Sequence, residues 1–209
     1  MDETIVHRSL KERQRQEREA LILQTAEEVL LEKGYYETSM DEIAARVGIA
    51  KGTLYLHFAR KEDLICALIE RELKATLHMV EQAREMPTSA RAKLEFILDS
   101  LYRGLFAKRA RLFYVLYNGV DFRVLREKFH GIKGDTMYTI AHHLVELFEE
   151  GKAAGEFDAS LPSEVMTSIF FSIMSPQAYK HLVLEKQMPL EALLQCMKRI
   201  YFKGIAANS

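Results

Sequence analysis

Residues Thr38 to Leu64 read TSMDEIAARVGIAKGTLYLHFARKEDL, and the reading of this stretch decides the fold. Ser39 and Glu42 form an S-x-x-E capping box, the mark of a helix start, where side chains satisfy amides that lack partners in the first turn. The helix they open runs to about Val47, and Gly48 supplies the positive φ that a sharp turn needs. A second short helix covers roughly Lys51 to His57, and a longer one starts near Lys61. Two short helices joined by a tight glycine turn have the layout of a helix-turn-helix. Ile43, Ala44, Val47, Ile49, Leu54 and Phe58 are apolar at spacings that pack both helices on a preceding one.

That preceding helix spans residues 11 to about 33, with Ile22, Ala26, Val29 and Leu30 on a single face, and Gly34 ends it as a C′ glycine. Outward in the other direction, the periodicity predicts helices from about Lys61 to Glu85, Ser89 to Ala107, Ala110 to Asn118 and Phe122 to Lys152, the last interrupted near Gly131 and Gly134. GKAAGEFDASLP, residues 151–162, reads as a connecting loop. Two further helices are expected, from Pro162 to about Glu185 with a kink at Pro176, and from Pro189 to about Ala206. No strand-period segment or internal repeat interrupts this pattern. The fold class is all-α with about nine helices, a three-helix N-terminal helix-turn-helix domain over residues 1–64 and a helical C-terminal domain over residues 65–209.

An apolar fraction of 48% is ample for a core. The N-terminus, MDETIVHRSLKERQRQEREA, lacks the apolar h-region of a secretory signal, and no apolar run reaches the ~18 residues of a membrane span. Only Cys66 and Cys196 are present, far apart and outside any Cys/His cluster, so neither a disulfide framework nor a structural metal is expected and a reducing cytoplasm fits. Net charge is −1, and residues 1–64 carry 10 Lys and Arg against 13 Asp and Glu. The charge balance therefore does not itself point to a polyanion; what counts is a few cations on one face. The basic stretch His7, Arg8, Lys11, Arg13, Arg15 and Arg18 reads either as an arm reaching a minor groove or, with Glu12, Glu17 and Glu19 among it, as a solvated helix end.

The pattern leaves Lys51, Thr53, Tyr55 and His57 pointing outward from the second short helix. Amine, hydroxyl, phenol and imidazole suit phosphate and base-edge contacts in a DNA major groove. Helix-turn-helices also serve as protein contacts, and the pattern alone leaves both roles open.

Residues 20–64 resemble the DNA-binding domain of the TetR family of transcriptional regulators. The matching positions are Gly34, Tyr36, Thr38, Ile43, Ala44, Gly48, Lys51, Gly52, Thr53, Tyr55, His57, Phe58, Lys61, Glu62 and Leu64, with GTLYLHF and KEDL the most specific pieces. The resemblance implies that Thr38 touches phosphate near the start of the first short helix. It implies that Lys51, Thr53, Tyr55 and His57 line the DNA, that Gly52 allows close approach, and that Lys61 meets a phosphate at a helix N-terminus, where amides and dipole also favour an anion. The chain departs from the family at Ala50 and Arg60, where Ser, Thr or Asn is common, so two helices lose a side-chain cap worth about 1 kcal/mol each.

Beyond about Arg71 nothing specific is recognisable. The family has a variable helical domain there that binds a small molecule and carries the dimer interface. Aromatic residues are dense: Phe96, Tyr102, Phe106, Phe113, Tyr114, Tyr117, Phe122, Phe129 and Tyr138. Each serves a helical core or lines an apolar ligand site between helices. Phe96, Tyr102, Phe106, Met137, Thr139 and His142 are the candidate ligand-lining residues. His142 and His143 are adjacent, about 100° apart on a helix, and do not have the i, i+4 spacing of paired metal ligands. Glu95 and Asp99 either meet a cationic ligand or form a solvated face. Val165, Ile169, Ile173, Leu190, Leu193, Leu194, Met197 and Tyr201 form apolar stripes on the last two helices, which either close the monomer core or, as in the family, pack against a two-fold mate.

The resemblance thus implies a cytoplasmic, homodimeric, ligand-responsive and sequence-specific regulator. It would be a repressor released from a palindromic double-stranded DNA operator by a small apolar or aromatic effector, with no cofactor. The alternative is an all-helical small-molecule carrier or enzyme without a DNA role. No GxSxG, HExxH or P-loop supports an enzyme.

Overall fold

A computed structural model describes residues 10–104, 134–173 and 180–207. The expected helix over 110–118, the interruption near Gly131, the kink at Pro176 and the aromatic residues between Phe106 and Phe129 lie outside the described residues.

The chain begins with α1 (Leu10–Lys33), α2 (Met40–Val47), α3 (Lys51–His57) and α4 (Lys61–Arg84). Ser39 caps α2 by accepting a hydrogen bond from the Glu42 amide at 3.2 Å, and Gly48 closes it at φ 76°, in the left-handed region where glycine carries no Cβ penalty. Ala50 and Arg60 provide no side-chain cap to α3 and α4, as their lack of a short polar acceptor requires. Ile22, Ala26, Val29 and Leu30 of α1, Ile43 and Ala44 of α2, and Leu54 of α3 meet Leu64, Ile65, Leu68 and Ile69 of α4 in one buried cluster.

The second half comprises α5 (Ala90–Gly104), α6 (Gly134–Ala153), α7 (Ser163–Ile173), a π-helical turn (Lys180–Glu185) and α8 (Leu190–Gly204). Its core joins Val80 and Ala83 of α4 to Leu94, Ile97 and Leu98 of α5, Ile140, Leu144 and Phe148 of α6, Phe170 of α7 and Phe202 of α8. α4 therefore serves both cores, and Leu73 packs against each of them. A helix of 24 residues is about 36 Å long at 1.5 Å per residue, enough for its two ends to work in different cores.

The stretch 151–162 is more than a connection. Gly151, Lys152 and Ala153 remain in α6, and Phe157 is buried, pairing through its backbone with Ala206 in an isolated antiparallel bridge. Its ring lies so close to Gly151 that a Cβ there would come within 2.3 Å of it. Glycine is thus required by packing at this position, and Phe157 stacks on Phe202 at a centroid distance of 6.4 Å and meets the tilted ring of Phe148 at 5.7 Å. A short segment of mixed polarity gives no period from which one inward phenylalanine can be read. The segment before Pro189 also differs from the expected α-helix: Lys180–Glu185 takes the wider π form, with the Lys186 amide donating to the His181 carbonyl at 3.0 Å. Among the described residues there is no β-strand beyond that single bridge.

Candidate nucleic-acid interface

The exposed residues of α3 are Lys51, Gly52, Tyr55 and Leu56, while Leu54 is buried and Thr53 and His57 are intermediate. Offsets of 1, 4 and 5 are what a 3.6-residue period places on one face. The expectation that Lys51, Thr53, Tyr55 and His57 all point outward alternates with period two, as in a strand, and is corrected on that ground. The side chain of His57 is only 6% exposed, with Nδ1 3.6 Å from the Glu19 carboxylate of α1. Tyr55 is 47% exposed. Lys51 forms an exposed ion pair with Asp41 of α2, which ties the two helices together and offsets one of the few cations on this face.

Thr38 and Lys61 also face inward. Gly34 leaves α1 at φ 85°, and the Thr38 hydroxyl donates to the Gly34 carbonyl at 2.6 Å, its residue 3% exposed. The Lys61 ammonium, at the first turn of α4, donates to the Thr38 carbonyl at 2.6 Å and to the Tyr35 carbonyl. It also sits 4.1 Å from the centre of the Tyr35 ring. Partial burial lowers the Lys61 pKa, opposed by the neighbouring Glu62 carboxylate. Tyr35 in turn donates its hydroxyl to Glu62 at 3.1 Å, and burial together with that carboxylate pushes its pKa up to about 12. In this structure, then, the groups expected at phosphates hold the α1–α2 loop onto the start of α4. A carbonyl-lined loop end satisfies a lysine as an anion does, and the sequence pattern does not tell the two apart.

A second network fixes α2. Arg46 bonds Glu42 at 2.9 Å and Glu32 at 2.7 Å, and Lys33 pairs with Glu42 at 2.7 Å. Toward the C-terminal core, Arg71 of α4 bonds Glu27 of α1 and, at 3.2 Å, the buried Glu72. This contact ties α1 to the middle of α4, two residues before the Leu73 that packs against both cores.

The candidate effector-lining residues differ in burial. Tyr102 is fully buried and its hydroxyl donates to the Ile173 carbonyl at 2.7 Å, whereas Phe96, Met137 and His142 are exposed and Thr139 is intermediate. Phe106 lies outside the described residues. Glu95 and Asp99 have internal cations, Arg91 and Lys198, each at 2.9 Å, and His143 stands 2.7 Å from the Arg84 guanidinium. Among the described residues no cluster of side chains has the make-up of a metal site.

The stripes on α7 and α8 divide. Leu193, Leu194 and Tyr201 are buried in the chain's own core, the Tyr201 hydroxyl donating to the Met166 carbonyl at 2.6 Å, which corrects the expectation that they face a partner. Val165 and Ile169 are exposed, and Ile173, Leu190 and Met197 are intermediate. Ile169, Ile173, Met197 and Ile200 border an open apolar groove of about 450 Å³ between the two helices. Ile200, 76% exposed and absent from the expected set, lies on the same side of α8 as Met197, three positions earlier.

Helical architecture, a helix-turn-helix with an exposed face on α3 and a second helical core are the layout that the resemblance to DNA-binding regulators implies. Residues 22–68 match the sequence profile of the family described as bacterial regulatory proteins, tetR family. The chain is 35% identical over 88 residues to the HTH-type transcriptional activator FasR of Mycolicibacterium smegmatis, covering 42% of this chain and 40% of that one. It is 25% identical over 189 residues to the fatty acid metabolism regulator protein of Bacillus subtilis, covering 88% of this chain and 93% of the other. Its fold matches the crystal structure of FadR from Bacillus subtilis in complex with stearoyl-CoA at a TM-score of 0.72 and 25% identity, over 89% and 98% of the two chains. FasR is named a transcriptional activator and the FadR of Bacillus subtilis a transcriptional regulator. Among the described residues no helix is long and apolar enough to cross a membrane.

Proposed function

We propose that this chain is a cytoplasmic, homodimeric repressor that holds a palindromic operator and releases it on binding a long-chain acyl-CoA. The observation that carries this reading is the likeness over nearly the whole of both chains to FadR bound to stearoyl-CoA. Residues 1–64 serve the DNA and residues 65–209 the effector and the dimer. Lys51, Gly52, Thr53 and Tyr55 meet the DNA, while Thr38, His57 and Lys61 position the recognition helix. The acyl chain is met by the apolar core of the second half, beside Tyr102 on α5. Val165, Ile169, Ile173, Met197 and Ile200 cover the groove between α7 and α8 with the same groove of a second copy, as an isologous interface requires.

The mechanism is a shift between two populations. An acyl-CoA that binds better to one setting of α4 favours that setting, and α4 carries the change to the helix-turn-helix because it is built into both cores. A hundredfold loss of operator affinity needs about 2.7 kcal/mol of coupling, within the range of known allosteric pairs. The test selects sites from random duplex DNA and then titrates the selected site with and without stearoyl-CoA. A palindrome bound by a dimer and released by stearoyl-CoA is the expected result. A site bound equally well in both conditions overturns the acyl-CoA reading, and no enriched site from folded protein overturns the DNA reading. Because FasR is named an activator, transcription from a promoter carrying the site distinguishes repression from activation.

A further inference from the structure

We propose that Leu56 reads the 5-methyl group of a thymine in each operator half-site, so that an apolar contact sets base preference there. The inference rests on the DNA-binding reading above and goes beyond it to the base that is recognised. Leu56 is 81% exposed, the most exposed large apolar side chain among the described residues. It closes the outward face of α3 at the C-terminal end of the helix, next to Tyr55 in sequence and one turn beyond Gly52. Leu54, on the opposite side, anchors α3 to the core, and Leu56 is not part of that buried cluster.

Gly52 supplies the second part of the argument. A helical side chain leans toward the N-terminus over the residue four positions before it, so Leu56 leans over Gly52. A Cβ built at Gly52 meets nothing within 4 Å, so the packing of this chain does not require glycine. The missing side chain therefore leaves a low shelf beside an exposed leucine, on the outside of the molecule. A base edge can approach such a shelf closely, and in the major groove the thymine methyl is the apolar feature that an aliphatic side chain can meet. Lys51 and Tyr55 on the same face offer charge and a hydroxyl to the flanking phosphates.

The experiment measures wild type and Leu56→Ala on the selected operator, with each thymine replaced in turn by deoxyuridine, which lacks only the methyl. At one thymine in each half-site, wild type should lose about fourfold in affinity, the worth of one buried methyl, and Leu56→Ala should lose nothing further. Wild type that binds the operator but is indifferent to every deoxyuridine overturns this inference alone. So does a Leu56→Ala protein with the wild-type sensitivity. Wild type that binds no selected DNA at all removes the functional reading and this inference with it.

Discussion

Replacing Lys61 by methionine separates two roles that one lysine can play. Methionine keeps an unbranched apolar stem against Tyr35 and removes the ammonium that bonds the Tyr35 and Thr38 carbonyls. A hydrogen bond to a charged donor contributes about 1.5–3 kcal/mol net. The site is only part-buried, and water replaces some of what is lost, so the two bonds together are worth about 2 kcal/mol, near the low end for one. For a chain of this length that lowers Tm by about 4–8 °C. Thermal and urea unfolding followed by tyrosine fluorescence measure it, since the chain has no tryptophan. Operator affinity should also fall, because the loop that aligns α2 with α4 is loosened. If Lys61→Met keeps the wild-type Tm while operator affinity drops, the inward bonds contribute nothing in solution and Lys61 acts as a phosphate contact. That result would refute the structural role argued here.

Arg71 and Glu27 form the charged link between α4 and α1, and a cycle of Arg71→Met, Glu27→Gln and the double variant should show a coupling of about 0.5–2 kcal/mol in urea unfolding; strictly additive losses would remove the pair from the account. The network around α2 predicts a pH dependence. The Arg46 hydrogen bond holds Glu32, and the Lys33 hydrogen bond holds Glu42, below the ordinary carboxylate pKa of 4.5. A carboxylate whose folded pKa is depressed stabilises the fold above its unfolded value and loses that contribution as pH falls through the folded one. Urea midpoints should therefore decline below pH 4.5 more steeply for wild type than for Arg46→Gln, and parallel curves would show that the network contributes nothing.

The helices that hold the DNA-binding half could be read from the chain because their signals are local. The Ser39 cap, the left-handed Gly48 and the apolar spacing from Ile22 to Leu30 each act within a turn or two of themselves. The bounds of α3 followed in the same way. Its outward face follows the helical period and not alternation: offsets of 1, 4 and 5 from Lys51 place Gly52, Tyr55 and Leu56 together. Ile200 was open to the same treatment, three positions beyond Met197.

Other features depend on partners far away in sequence. Phe157 has a local context of glycine and acid, and only the cleft beside Gly151 makes it a core residue. Leu193, Leu194 and Ile200 look alike on one amphipathic helix, and the packing of α5 and α7 buries the first two while leaving the third outside. Thr38 and Lys61 resemble phosphate ligands until the carbonyls of the α1–α2 loop are placed between them. The sequence by itself determined the all-α class, the helix-turn-helix and most helix bounds, since caps, glycines and periodicity act over a few residues. Tertiary structure decided which face each helix turns outward, how α4 is shared between two cores, and which polar groups are already committed, since burial and hydrogen-bond satisfaction depend on neighbours that the chain brings close only by folding.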